Sequence, residues 1–162
     1  MGERGLFRGH ALNAIDAKGR VAIPASIRKT IEANSSEPSV VIGKHARLPC
    51  LVGYDNGWAA LLNAQIDRNE ARALDNGRDF DSDGLTRSAF ALTEDAGFDS
   101  SGRFVLPPFL RSKATLTHWA LFLGTGNMFE IWSPHILIET PDVADDFKDL
   151  ARYLLAERKV KL

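Results

Sequence analysis

Two stretches of the chain, 83 positions apart (Asp16 to Asp99), carry the same pattern. Ile15-Asp16-Ala17-Lys18-Gly19-Arg20-Val21-Ala22-Ile23-Pro24 aligns with Phe98-Asp99-Ser100-Ser101-Gly102-Arg103-Phe104-Val105-Leu106-Pro107. Asp, Gly, Arg and Pro are identical. Apolar residues match at Ile15/Phe98, Val21/Phe104 and Ile23/Leu106, and the match runs on to Ile27/Leu110 and Arg28/Arg111. Further along, Val40-Val41-Ile42-Gly43 parallels Leu121-Phe122-Leu123-Gly124, and residues 51–54 parallel 129–132. Internal self-similarity constrains a fold more than composition does, and its economical reading is two copies of one supersecondary unit.

Each copy has a legible local grammar. Asp-x-x-Gly is a turn signal, because the Asp carboxylate accepts from backbone N–H groups two residues on and Gly supplies positive φ. Short apolar or β-branched runs flank it, so the unit is expected to begin as a β-hairpin with a four-residue loop. Pro24 and Pro107 then suit the first position of a short helix, and Ile23, Ile27 and Ile31 recur at helical spacing, as do Leu106 and Leu110. Two strands follow in each copy, 39–42 with 50–54 and 119–124 with 128–133, joined by segments rich in Gly, Asn and His. Between the copies, 58–74 reads as a helix with Trp58, Leu61, Leu62 and Ile66 on one face. Residues 75–84 read as a flexible connection and 85–92 as a second short helix. Thr140-Pro141-Asp142 reads as a helix start with a capping hydroxyl. Val143, Phe147, Leu150 and Leu154 follow as a stripe that needs a partner surface, in its own domain or on a neighbouring subunit.

A chain of 162 residues suits one compact domain or two small fused units. Its longest apolar runs are five residues, 58–62 and 119–123, against about 20 for a membrane span. The start, Met1-Gly2-Glu3-Arg4, leads into no apolar signal region, so a cytoplasmic protein is expected. Cys50 is the only cysteine, which excludes an internal disulfide and a cysteine-built zinc site and fits a reducing compartment. Net charge is −1, but it is unevenly spread. Residues 1–29 hold Arg4, Arg8, Lys18, Arg20, Arg28 and Lys29 against Glu3 and Asp16. Residues 75–99 hold seven acids against Arg78 and Arg87. Only the first of these segments can attract a polyanion.

The residues do not assemble an enzyme. His10, His45, His118 and His135 share no metal-ligand spacing, no serine lies in a G-x-S-x-G elbow, and Cys50 reads as a strand residue. Gly124-Thr125-Gly126 is too short for a dinucleotide loop and precedes a strand rather than a helix. No catalytic residue, metal, cofactor or small-molecule substrate is expected.

Phe7-Arg8-Gly9, the Asp16 block and the second Asp-x-x-Gly-Arg block together resemble the MraZ family of bacterial transcriptional regulators, as do the late strands from Leu121 to Trp132. The similarity runs from about Phe7 to Ile138. It implies an α+β, β-rich fold of two tandem AbrB/SpoVT-like β-hairpin repeats forming a swapped-hairpin barrel, with short helices and a C-terminal helix. The corresponding units are 8–57, 58–96 (helical and acidic connection), 97–138 and 139–162. It further implies a homo-oligomeric ring at the nucleoid that binds double-stranded promoter DNA at short, directly repeated G-containing boxes. Such a ring would repress the division and cell-wall gene cluster, its own gene included. By the same resemblance Arg20 is the chief DNA-contacting residue, with Lys18 and Arg8 in support.

Read on their own chemistry, these residues keep two roles open. Arg20 can pair with Asp16 and fix the turn, or reach guanine O6 and N7 bidentately in the major groove. Lys18, at a turn tip, suits a phosphate. Arg28 has its equivalent in Arg111, which favours a shared structural job as much as DNA contact, and Lys29 faces either a phosphate or solvent. Asp16, Gly19, Asp99, Gly102 and Arg103 read as turn-structural. The chain departs from the family pattern in three ways. Six residues precede Phe7, Ser100-Ser101 replaces Ala17-Lys18, and an acidic stretch leads into the second block, so recognition is placed mainly on the first copy. The alternative is a ring-forming interaction protein without specific DNA binding.

Overall fold

The apolar quartets in the two copies are continuous rather than alternating, which is the pattern of strands covered on both faces. The computed structural model, which describes residues 3–161, shows why. Its elements in chain order are β1 (His10–Ala14), β2 (Arg20–Ala22), α1 (Ala25–Asn34), β3 (Ser39–Lys44), β4 (Leu51–Tyr54), α2 (Trp58–Asp75) and α3 (Ser82–Phe90). After them come β5 (Thr93–Gly97), β6 (Arg103–Val105), α4 (Pro108–Lys113), β7 (Trp119–Gly124), β8 (Phe129–Trp132), α5 (Pro134–Glu139) and α6 (Asp145–Glu157). The protein is therefore α+β with an antiparallel sheet. Six strands run in the order β1-β7-β8-β4-β3-β5, and β2 pairs with β6 as a separate two-stranded ribbon.

That order is its own mirror under exchange of the repeats. Replacing β1, β3 and β4 by their equivalents β5, β7 and β8 reverses the sequence of strands. Each repeat thus lends its first strand to the other. β1 pairs with β7 from His10↔Leu123 to Ala14↔Trp119, and β5 pairs with β3 from Ser39↔Gly97 to Gly43↔Thr93. The core on one sheet face is shared in the same way, with Val21, Ile23, Ile27 and Ile31 packed among Phe104, Leu106, Leu110 and Phe122. On the other face the halves diverge. Trp58 of α2 packs on Val41 and Tyr54, while Ala151 and Leu155 of α6 pack on Leu121, Leu123 and Trp132.

Several local expectations are corrected. The first strands do not form hairpin ladders with the second. Ile15 still continues β1 by donating to the His118 carbonyl at 2.8 Å, and Asp16 closes the turn on Arg20 at 2.9 Å. Val21 then turns into the core opposite Phe104, so the strands part into different sheets. Pro24 and Pro107 sit one position before their helices, and Pro108 takes the first helical place. Helix α3 begins inside the stretch read as a connection, because the Asp81 carboxylate accepts from Gly84 N at 3.0 Å and caps it. Thr140 closes α5, its Oγ1 donating to the Ile136 carbonyl at 2.7 Å, and α6 starts only at Asp145. The stripe on α6 finds its partner in its own chain, although Phe147 stays 45% exposed. Cys50 directly precedes β4, fully buried, and burial pushes its thiol far up.

Of the residues preceding Phe7, Arg4 reaches the buried Asp55 carboxylate at 2.6 Å. Gly5 exchanges hydrogen bonds with the Asn34 side chain at 2.8 and 3.0 Å. Met1 and Gly2 lie outside the described residues. No helix among the described residues is long and apolar enough to cross a membrane.

Candidate nucleic-acid interface

The two Asp-x-x-Gly turns are built alike. Asp16 Oδ1 accepts from the backbone N–H of Lys18 and of Arg20, both at 2.9 Å, and Oδ2 accepts from Arg20 Nε at 2.8 Å. Gly19 donates to the Asp16 carbonyl at 3.0 Å with φ at +81°, a conformation that side chains resist. In the second turn Asp99 takes Ser101 N at 2.9 Å, Arg103 N at 3.0 Å and Arg103 Nε at 3.0 Å, and Gly102 sits at φ +79°. Both ion pairs run through Nε, so neither uses the terminal amino groups of its guanidinium.

These hydrogen bonds favour the charged carboxylate. The Arg20 backbone N–H, then its side chain, hold the Asp16 carboxyl at about 2, below its ordinary 3.8. The Asp99 carboxyl is lowered too, mainly by the Arg103 backbone N–H. A depressed folded value means that the turn contributes its full stability above 3.8 and loses it as pH falls towards 2. Titration of the Asp16 side-chain carbon by NMR is expected to give a midpoint at about 2, with the Lys18 and Arg20 amide shifts moving in step. A midpoint at 3.8 would show that the turn does not close around the carboxylate in solution.

The register of the ribbon carries the arginines to one place. Arg20 faces Val105, Val21 faces Phe104, and Ala22 faces Arg103. Val21 and Phe104 are 1% and 2% exposed, so successive residues alternate between core and surface. Arg20 and Arg103 therefore share the outer face, as a diagonal pair across two antiparallel strands. Their side chains are 39% and 49% exposed. Lys18 is exposed at the tip of the first turn. The structure brings Arg103 diagonally across from Arg20, although 83 positions, about half of the chain, separate them in sequence.

The remaining site residues lie elsewhere on the fold. Arg8 is exposed at the far end of β1 from the Asp16 turn, so a five-residue strand of about 17 Å separates them. Its segment is pinned beside β7 and β8, with Phe7 N donating to the Gly126 carbonyl at 2.7 Å and Gly124 N to the Gly9 carbonyl at 2.8 Å. Arg28 does not project freely. Its Nη1 donates to the Ser100 carbonyl in the second turn at 3.0 Å, and its Nε pairs with Glu32 at 3.2 Å. Lys29 beside it is exposed. Sequence reasoning missed Arg111, whose Nε and Nη2 donate to the Leu116 and Thr117 carbonyls, both at 2.9 Å, while Nη1 lies against Gly19. The Arg28/Arg111 match was the available signal, but nothing local said that each would reach the other repeat's turn. Among the described residues, no three His, Cys, Asp or Glu side chains gather as metal ligands.

The geometry is that of a two-stranded ribbon bearing two outward arginines, each braced by a turn carboxylate. Comparison with known proteins points the same way. A family model described as "MraZ protein, putative antitoxin-like" matches residues 89–137, which cover the second repeat. A protein of Gluconobacter oxydans named transcriptional regulator MraZ is 33% identical over 156 residues, covering 95% of this chain and 90% of the relative. Namesakes from Ruegeria pomeroyi and Saccharophagus degradans are 36% and 32% identical. They cover 79% and 93% of this chain, and 77% and 97% of the relatives. With such identity along nearly its whole length, the chain belongs to the MraZ family.

Proposed function

We propose that the chain is a transcriptional regulator that binds double-stranded promoter DNA sequence-specifically and needs no catalysis and no cofactor. The observation that carries this is the outer face of the β2–β6 ribbon, where Arg20 and Arg103 stand together with Lys18 at one end. A major groove admits a two-stranded β-ribbon, and arginine pairs bidentately with guanine O6 and N7 there. G-containing boxes suit that chemistry. Lys18 and Lys29 supply phosphate contacts, Arg8 supports from the far end of β1, and Asp16, Gly19, Asp99 and Gly102 keep the turns in shape. Arg28 braces the second turn through Ser100 and pairs with Glu32, which leaves its Nη2 outside these bonds.

The exchange of first strands between repeats supports the tandem AbrB/SpoVT-like, swapped-hairpin reading, with 8–57 as the first repeat, the second drawn from the start of β5 at Thr93 to 138 rather than from 97, 58–92 as the connection and 139–162 as the C-terminal unit. One ribbon offers few cationic contacts and binds weakly at physiological salt. A ring of identical subunits makes the second and third contacts intramolecular. Boxes repeated directly at about 10 base pairs would meet neighbouring subunits on one face of the duplex. Occupying the promoter of the division and cell-wall cluster, including its own, would repress it in the cytoplasm at the nucleoid.

The test is a fluorescence-anisotropy titration against the duplex upstream of the chain's own gene and a shuffled duplex of equal composition. Preference for the native duplex, weakening steeply with salt, is the expected result. Equal or absent binding overturns the reading and leaves a ring-forming interaction protein.

A further inference from the structure

Each Asp-x-x-Gly turn leans on the helix of the opposite repeat. Arg111 of α4 lies so close to the first turn that a Cβ on Gly19 would sit 2.8 Å from its Nη1. Arg28 of α1 does the same at the second turn, where a Cβ on Gly102 would meet its Nη1 at 3.0 Å. Both guanidiniums are fixed by backbone carbonyls, Arg111 by Leu116 and Thr117 and Arg28 by Ser100. Each keeps one terminal amino group outside those bonds. Between the first turn and α4 lies a concavity of about 270 Å³, whose lining includes Lys18, Gly19, Arg111 and Ser112.

The equivalent positions at the second turn are Ser101, Gly102, Arg28 and Lys29. Lysine and serine have changed places. At the first turn the lysine is on the turn and the serine on the helix, and at the second the serine is on the turn and the lysine on the helix. All four of these residues are exposed. Each turn therefore meets one fixed arginine of the opposite repeat, with one exposed lysine either on the turn or next to that arginine in sequence, although neither repeat alone shows that balance. The lysine that the second Asp-x-x-Gly turn lacks is supplied by the first repeat. Glu32 pairs with Arg28 and leaves this second cleft the weaker of the two, since the equivalent position near Arg111 is Thr115.

A braced guanidinium beside a flexible ammonium is a phosphate-binding pair, the one supplying a fixed fork and the other a point charge. The turns lead into β2 and β6 from opposite ends of the ribbon. Three residues span about 10 Å, so clefts just beyond those ends match a major groove about 12 Å wide. We infer that the two crossed clefts, Lys18 with Arg111 and Lys29 with Arg28, each take one DNA backbone phosphate, one on either side of the groove that receives Arg20 and Arg103. The inference rests on the DNA-binding reading above. It also gives the second repeat a part in binding that its own turn does not reveal.

The test is a lysine relocation in the full-length protein, read by anisotropy on the native upstream duplex over a salt series. Lys18→Ser is expected to weaken binding several-fold and to lower the slope of log K against log salt by about 0.9 for each engaged subunit. Adding Ser112→Lys to Lys18→Ser re-creates the second cleft's arrangement at the first, and is expected to restore both affinity and slope. Lys29→Ser with Ser101→Lys should behave likewise. Thermal midpoints stay level, because all four positions are exposed. If the wild type prefers the native duplex but the relocated lysines restore nothing, the clefts are overturned while the regulator reading stands. If the wild type shows no preference for the native duplex, the regulator reading itself falls.

Discussion

Arg20→Ala is expected to erase the preference for the native duplex while leaving secondary structure and assembly intact. The turn survives the substitution because Asp16 Oδ1 is held by the backbone N–H groups of Lys18 and Arg20, which alanine retains. The lost ion pair is half-exposed, where such pairs contribute little. What disappears is the outward guanidinium. A bidentate arginine–guanine pair discriminates by about 1–3 kcal/mol, roughly 5- to 150-fold per engaged subunit, and a ring multiplies the loss. Arg103→Ala is expected to act in the same direction but less, since Glu32 reduces the cation surplus at its end of the ribbon. Circular dichroism and sedimentation would report fold and assembly beside the anisotropy titration. An Arg20→Ala protein that aggregates or unfolds would make the residue structural, and one that still discriminates would remove Arg20 from the interface.

What the sequence displayed was whatever its local chemistry decides. Asp-x-x-Gly specifies a turn within five residues, and the turn is there twice with matching hydrogen bonds. Ile23, Ile27 and Ile31 announce one buried face, and all three are buried. The strand pairing was not legible, because a first strand carries no mark of which repeat it will join. β1 pairs with β7 and β5 with β3, and only the assembled sheet shows it. The site inherits that blindness. Arg103 read as a turn residue, since its place beside Arg20 follows from the β2–β6 register across the repeats. Arg28 and Arg111 were visibly equivalent, yet their targets lie 72 residues away in one case and on the first turn in the other. Where two local signals compete, the sequence does not show which one wins. Thr140 before Pro141 looks like a helix start, but its hydroxyl is used by the turn behind it. Asp81 was a cap in plain view, hidden among acids that read as a solvated connection.

Gly124→Ala is expected to destabilise the fold by about 3 kcal/mol and to carry Arg8 out of place, whereas Gly43→Ala, at the same position in the first repeat, is expected to cost about 1 kcal/mol. Neither glycine has positive φ, so the backbone accepts alanine at both and space alone decides. At Gly124 the new Cβ would meet Arg8 N at 2.5 Å and Arg8 Cα and Phe7 C at 2.6 Å. These are backbone atoms of a segment fixed by the Phe7–Gly126 bridge, so the segment must move as a whole. Moving it withdraws Phe7, which is 1% exposed and packs edge-on against Phe129 with ring centroids 5.2 Å apart. At Gly43 the nearest atoms are Thr93 Cγ2 at 3.0 Å and the Leu92 carbonyl at 3.3 Å, where a few tenths of an ångström suffice. For a chain of this length about 3 kcal/mol lowers Tm by roughly 6–12 °C. Calorimetry of the two variants, with anisotropy on the native duplex, checks both halves. Equal Tm losses would mean that the Phe7 segment is not held against β7 in solution. A Gly124→Ala protein with low Tm but undiminished DNA affinity would take Arg8 out of the interface.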